Sequence, residues 1–160
     1  MSQLRRILLV EDSSNDVELI LTALSENHLA NEVVVVRDGE EALDYMYRRG
    51  AFKLRSQGEP VVVFLDLKLP KVDGLEVLAR LKADPVLRVV PIVVLTSSHE
   101  EPDIARCYDL GTNAYVVKPI AFPDFLDVVK QLGLFWAVLN QVPSALESGE
   151  STQPSGDIGG

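Results

Sequence analysis

Three features of the sequence predict an open α/β fold, with a parallel five-stranded sheet covered by helices on both faces. Short apolar, β-branched runs alternate five times with segments of helical spacing. The runs show almost no polar alternation, the mark of strands buried on both sides. Their polar residues gather at one end, the carboxyl end, where doubly wound sheets bind ligands.

The first run, "RRILLVED" (5–12), has two arginines ahead of apolar residues, but acidic residues follow at once without a small-residue cleavage pattern, so it reads as a strand. "EVVVVRD" (32–38), "VVVFLD" (61–66), "PIVVLTS" (91–97) and "AYVVK" (114–118) supply the others. Between them, four sets each mark one apolar helical face: Val17, Ile20, Leu21 and Leu24; Leu43, Met46 and Tyr47; Val77, Leu78 and Leu81; Ile104, Cys107 and Tyr108. A fifth helix begins near Phe122, with Phe125, Leu126 and Val129 inward. Ser13 and Asp16 resemble a capping box, Gly111 fits a helix stop and Pro123 a helix start. Sheet order 2-1-3-4-5 makes the first and third strands neighbours where the order reverses.

A length of 160 residues fits one domain, assigned to residues 1–143, with a Gly- and Ser-rich tail at 144–160 that is expected to be disordered. Residues 48–60, "RRGAFKLRSQGEP", read as a basic loop. No apolar run approaches the ~20 residues of a membrane helix. The net charge of -9, from 24 acidic against 15 basic residues, opposes direct nucleic-acid binding. A single cysteine, Cys107, excludes an internal disulfide, suits the cytoplasm and reads as a core residue. His28 and His99 have no partner at ligand spacing.

The strand ends carry the chemistry. Glu11 and Asp12 end the first strand, Asp66 the third, Thr96 and Ser97 the fourth, and Lys118 the fifth. Three carboxylates in one crevice repel by about 4 kcal/mol per pair at ~4 Å and an effective dielectric of ~20. Mg²⁺ offsets this, with Asp12 and Asp66 as direct ligands, Glu11 acting through water and the backbone carbonyl of Lys68 as a further oxygen. With Thr96 and Lys118 to hold phosphoryl oxygens, Asp66 is placed to act as a nucleophile in phosphoryl transfer.

"ILLVEDSSNDVELI", "VVVFLDLKLPKVDGLEVL", "PIVVLTSS" and "AYVVKP" together resemble the acid pair, phosphoacceptor, switch hydroxyl and lysine-proline motifs of two-component response-regulator receiver domains, over about residues 5–132. The resemblance implies a flavodoxin-like (βα)5 fold in which Asp66 accepts phosphate from the phosphohistidine of a sensor histidine kinase. It further implies that Glu11 and Asp12 hold Mg²⁺, that Lys118 contacts the phosphoryl group, and that Thr96 moves toward it while Tyr115 rotates inward. The Lys118–Pro119 peptide is expected to be cis, and Gly74 to sit in the tight bend after the acceptor loop. Lys68 and Ser98 fall at variable positions beside the site, suited to tuning phosphate lifetime.

"YMYRRG", "LDLKLPKVDGLEVL" and the terminal "FWAVL" are similar to free-standing receivers that partner bacterial phytochromes. With only residues 133–160 beyond the match, an output domain is not expected, and the output is another protein or a phosphotransfer partner. Relay and chemotaxis-type receivers share the fold. In "FLDVVKQLGLFWAVLNQV" the apolar character outruns one helical stripe, which predicts a homodimer built on the fifth helix, its extension and the fourth and fifth strands, using Phe125, Phe135, Trp136 and Leu139.

Three rivals fit less well. A haloacid-dehalogenase-type phosphatase expects a second aspartate two residues after its nucleophile, where Lys68 stands. A flavodoxin needs a phosphate loop after the first strand, where "EDSSND" would repel phosphate. A pseudo-receiver would lack part of the acid set.

Overall fold

A computed structural model describes residues 6–56 and 58–143. Strands β1 (Ile7–Val10), β2 (Val33–Val36), β3 (Val62–Leu65), β4 (Ile92–Thr96) and β5 (Ala114–Val117) alternate with helices α1 (Ser14–Ser25), α2 (Gly39–Tyr47), α3 (Gly74–Ala83), α4 (Glu101–Leu110) and α5 (Phe122–Gly133). The sheet is parallel throughout, in the order β2-β1-β3-β4-β5. Register pairs Val10 with both Val36 and Leu65, which brings the carboxyl ends of the three strands level.

Alternation along the strands divides the core in two. Leu8, Val10, Val63 and Leu65 pack with Leu43, Met46, Leu78, Leu81 and Cys107 under α2, α3 and α4. Ile7, Leu9, Val62 and Phe64 pack with Ile20, Leu24, Phe125 and Val129 under α1 and α5. Both faces being covered, the strands need apolar residues at every position. Tyr108 departs from its expected inward face and is 53% exposed on α4.

Helix ends follow local chemistry. Asp38, Ser13 and Asp73 each accept an N-terminal amide of the helix they precede, and Gly111 closes α4 at φ 104°. Helix α2 stops at Tyr47, ahead of the two arginines, because Arg48 turns left-handed at φ 54° and returns its amide to Asp44 and Tyr45. Within the basic loop Glu59 pairs with both Arg48 and Arg55, and the Arg55 guanidinium lies 4.2 Å from the Tyr45 ring centroid.

Beyond α5 the chain continues as a π-helical segment, Leu134–Leu139. Ala137 is buried and Trp136 packs on the α1/α5 core, so this segment folds onto its own domain along one side. Phe125 likewise closes that core at 4% exposure. Of the residues expected on a dimer surface, Phe125 therefore faces inward, while Phe135 and Leu139 stand outward at 50% and 60% exposure. No helix among the described residues is long and apolar enough to cross a membrane. The tail 144–160 lies outside the described residues.

Candidate functional site

The ladder of backbone hydrogen bonds runs one residue past the strands. Glu11 N–H donates to Val36 O, Asp66 N–H to Val10 O and Lys118 N–H to Thr96 O at 2.7 Å. Glu11, Asp66 and Lys118 are thereby held to the same edge of the sheet, each by the strand beside it.

Their side chains meet there. Lys118 Nζ donates to Glu11 Oε2 at 2.6 Å, Asp16 Oδ2 at 2.8 Å and Asp66 Oδ2 at 3.0 Å. The Lys118–Pro119 peptide, expected to be cis, is trans, since no cis bond occurs among the described residues. The trans form is the ordinary preference of an X–Pro bond, and three carboxylates converging on the ammonium aim the lysine without help from the other isomer. Burial alone would lower the lysine's affinity for its proton, but the bonds to Asp16 and Glu11 and the charge of Asp66 outweigh it and raise the pKa.

Glu11 is 2% exposed, and burial pushes its carboxyl up to about 7 against the pull of Lys118; the neighbouring Asp66 charge pushes the same way. Its other oxygen accepts Ser13 N–H at 3.1 Å. Asp12 stays exposed at the rim. Glu11, Asp12 and Asp66 each bring a carboxylate oxygen within 4.8 Å of the others, the one such acidic, His or Cys group among the described residues. Its donor set is all oxygen, and Lys118 offsets only part of its charge. That chemistry suits a hard divalent cation.

The remaining expected residues surround this centre. Lys68 reaches it through its amide, which donates to Asp66 Oδ1 at 3.4 Å. Gly74 opens α3 directly beneath: a Cβ there would collide with the Asp66 carbonyl oxygen and lie 2.6 Å from Leu67 Cα. Thr96 is fully buried at the end of β4, its Oγ1 accepting Ser98 N–H at 3.4 Å. Tyr115 packs beside the α4 side of the core and donates its hydroxyl to Ser98 O at 2.8 Å.

Asp16 was not among the site residues the sequence pointed to. Its backbone amide does donate to Ser13 Oγ, as a capping pattern predicts, but its carboxylate turns to Lys118 while Glu11 takes the Ser13 amide instead. Only the parallel register, which carries Lys118 across to the start of α1, reveals the second role.

A family model for the response regulator receiver domain matches residues 7–130. The chain belongs to the response regulator receiver family. Receivers are phosphoacceptor signalling proteins of two-component pathways, and this chain is one of them. The response regulator Rcp1 of Synechocystis sp. is 37% identical over 139 residues, which cover 87% of this chain and 93% of Rcp1. A Mn²⁺-bound structure of Rcp1 superposes with a TM-score of 0.80 at 36% identity, covering 87% of this chain and 99% of that one. The phosphorylated cyanobacterial phytochrome response regulator RcpA gives a TM-score of 0.81 at 42% identity, with 87% and 98% covered. The bacteriophytochrome response regulator AtBRR is 58% identical at a TM-score of 0.69, covering 88% of this chain and all 100% of AtBRR. This receiver therefore resembles response regulators of phytochrome systems.

Proposed function

We propose that Asp66 is the phosphoacceptor of this receiver and that its donor is the phosphohistidine of a sensor kinase of the bacteriophytochrome class. The support is one juxtaposition: the Asp66 carboxylate, at the tip of β3, lies both in the three-carboxylate cluster and 3.0 Å from the Lys118 ammonium. In the transfer, an Asp66 oxygen forms a bond to phosphorus as the phosphorus–nitrogen bond to the imidazole breaks. Lys118 releases a carboxylate and holds a phosphoryl oxygen, and the buried Thr96 hydroxyl takes another. Asp12 and Asp66 directly, Glu11 through water and the Lys68 carbonyl would hold Mg²⁺, which would supply positive charge for the phosphoryl oxygens. Tyr115 and Thr96 form the switch that reports occupancy. Hydrolysis of the acyl phosphate at the same centre resets the receiver.

The chain acts in the cytoplasm, passing its signal to a protein or phosphotransfer partner. It forms a homodimer through the exposed side of the Leu134–Leu139 segment, where Phe135, Val138 and Leu139 are at least 42% exposed. Trp136 packs edge-on against Phe135, ring centroids 5.0 Å apart, and Phe125 lies in the core.

The deciding test is intact-mass detection of phosphoryl label after mixing with purified kinases or acetyl phosphate. Asp66→Asn should take none, and labelling of that variant at wild-type level would overturn the assignment. Across a kinase panel, bacteriophytochrome kinases should transfer fastest; uniform or absent transfer from them would remove the proposed partner.

A further inference from the structure

The loop joining β4 to α4 contains a hydrogen-bond relay that the phosphoryl-transfer residues do not account for. Ser98 is 7% exposed and uses every polar group it has. Its amide donates to Thr96 Oγ1 at 3.4 Å, its carbonyl accepts the Tyr115 hydroxyl at 2.8 Å, and its own hydroxyl donates to Asp103 Oδ2 at 2.6 Å. The amide of Glu100, the residue before α4, in turn donates to Ser98 Oγ at 3.4 Å.

Ordinary capping does not explain this arrangement. A carboxylate three residues into a helix normally takes the free amide at the helix cap itself. Here the Ser98 hydroxyl is interposed between Glu100 N–H and Asp103, so the carboxylate is spent on the loop rather than on the helix. Asp103 also lines a cavity of about 400 Å³ whose other walls include Asp12, Lys68 and Leu75, which places it across the mouth from the acid cluster.

We infer that Asp103 is a positioning residue of this receiver: by holding the Ser98 hydroxyl, it fixes the Ser98 backbone between Thr96 and Tyr115 and sets the share of molecules poised to take phosphate. This rests on the reading of Asp66 as acceptor. A charge-assisted hydrogen bond to a buried hydroxyl is among the stronger local tethers. Without it, Ser98 has no partner for its proton, and the loop carrying both switch contacts is released. The observed rate of a reaction restricted to one conformer falls in proportion to the population of that conformer.

The test follows labelling of the full-length chain by acetyl phosphate in Mg²⁺, read as intact mass, with thermal melting to confirm folding. Asp103→Ala and Ser98→Ala should each slow labelling by roughly fivefold to tenfold. Asp103→Asn keeps an acceptor for the hydroxyl and should restore the rate to within about twofold of wild type. In a Tyr115→Phe background, Asp103→Ala should have less than about half its effect on the logarithm of the rate, because the two share a path.

Wild-type labelling rates in folded Asp103→Ala would overturn the inference. So would Asp103→Asn as slow as Asp103→Ala, or an undiminished effect with Tyr115→Phe. Should Asp103→Ala fail to fold, Ser98→Ala decides alone on the same criterion. A wild-type chain that never carries label on Asp66 overturns the acceptor assignment itself, a result distinct from a labelled wild type indifferent to Asp103.

Discussion

Lys118 and Asp16 are joined by a 2.8 Å bond between residues 102 positions apart in sequence, closing the mouth of the site from the first helix to the last strand. The same ammonium also holds Glu11 and Asp66. One cation thus serves three carboxylates, and its removal leaves buried negative charge without a partner. Lys118→Met should destabilise the metal-free protein by about 3 kcal/mol, read by urea unfolding in chelator. Asp16, at 29% side-chain exposure, can be rehydrated, so Asp16→Ala should cost only about 1 kcal/mol in the same assay.

Divalent metal should stabilise the fold, by about 2.7 kcal/mol at a concentration 100 times its dissociation constant. Asp12 is exposed and belongs to the acidic cluster, so Asp12→Asn should remove most of this gain with little effect on the metal-free melting temperature. An undiminished shift in that variant would place the cation elsewhere.

Acidity should act through Glu11, whose carboxyl burial pushes up from 4.5 to about 7. A carboxyl with a raised folded-state pKa binds its proton more tightly folded than unfolded. Its contribution therefore favours the fold at low pH and declines as pH rises from about 4.5 to about 7. Metal requires the ionised form, so affinity should weaken below about pH 7, approaching tenfold per pH unit. Calorimetric titration across pH 5.5–8 checks this, and Glu11→Gln should flatten the profile.

Gly74→Ala would drive a methyl into the Asp66 carbonyl and the Leu67 backbone. Backbone cannot yield as a side-chain tip can, so the substitution should cost about 2 kcal/mol or more and displace Asp66. Chemical denaturation gives the first effect and loss of acetyl phosphate labelling the second.

Replacing Phe135 and Leu139 together by serine should shift the assembly toward monomer in sedimentation velocity, leaving the melting transition of the domain nearly unchanged. An unaltered dimer would remove the role assigned to this surface, and truncation before Phe135 provides the same test with Trp136 included.

Fold and centre were legible where a single rule governed the residue. Unbroken apolar strands announced a sheet covered on both faces, and the polar tips Glu11, Asp66 and Lys118 announced the sheet edge at which their side chains meet. Legibility failed where a side chain had two claims on it. Asp16 fits a helix cap, and nothing local shows that its carboxylate crosses to Lys118; Asp103 is an ordinary first-turn acid until the β4–α4 connection places Ser98 against it. Tyr108, like Cys107, has helical spacing with Ile104, yet Cys107 is buried and Tyr108 is left exposed. Phe125 reads both as part of the inward stripe of α5 and as part of a dimer surface, and packing gives it to the core, while Phe135, beyond that stripe, stands outward.

Helix α1 is gripped at both ends. Its first turn carries Asp16, bound to Lys118; at its other end, Leu24 abuts Gly133, where a Cβ would come within 2.5 Å of the leucine. Asn27, just past its last turn, donates to Lys130 O at 2.9 Å. The helix is a strut of roughly 18 Å held by contacts at both ends. Helix α1 thereby ties the mouth of the site, through Asp16, to the end of α5 from which the Leu134–Leu139 segment departs, through Leu24 and Gly133.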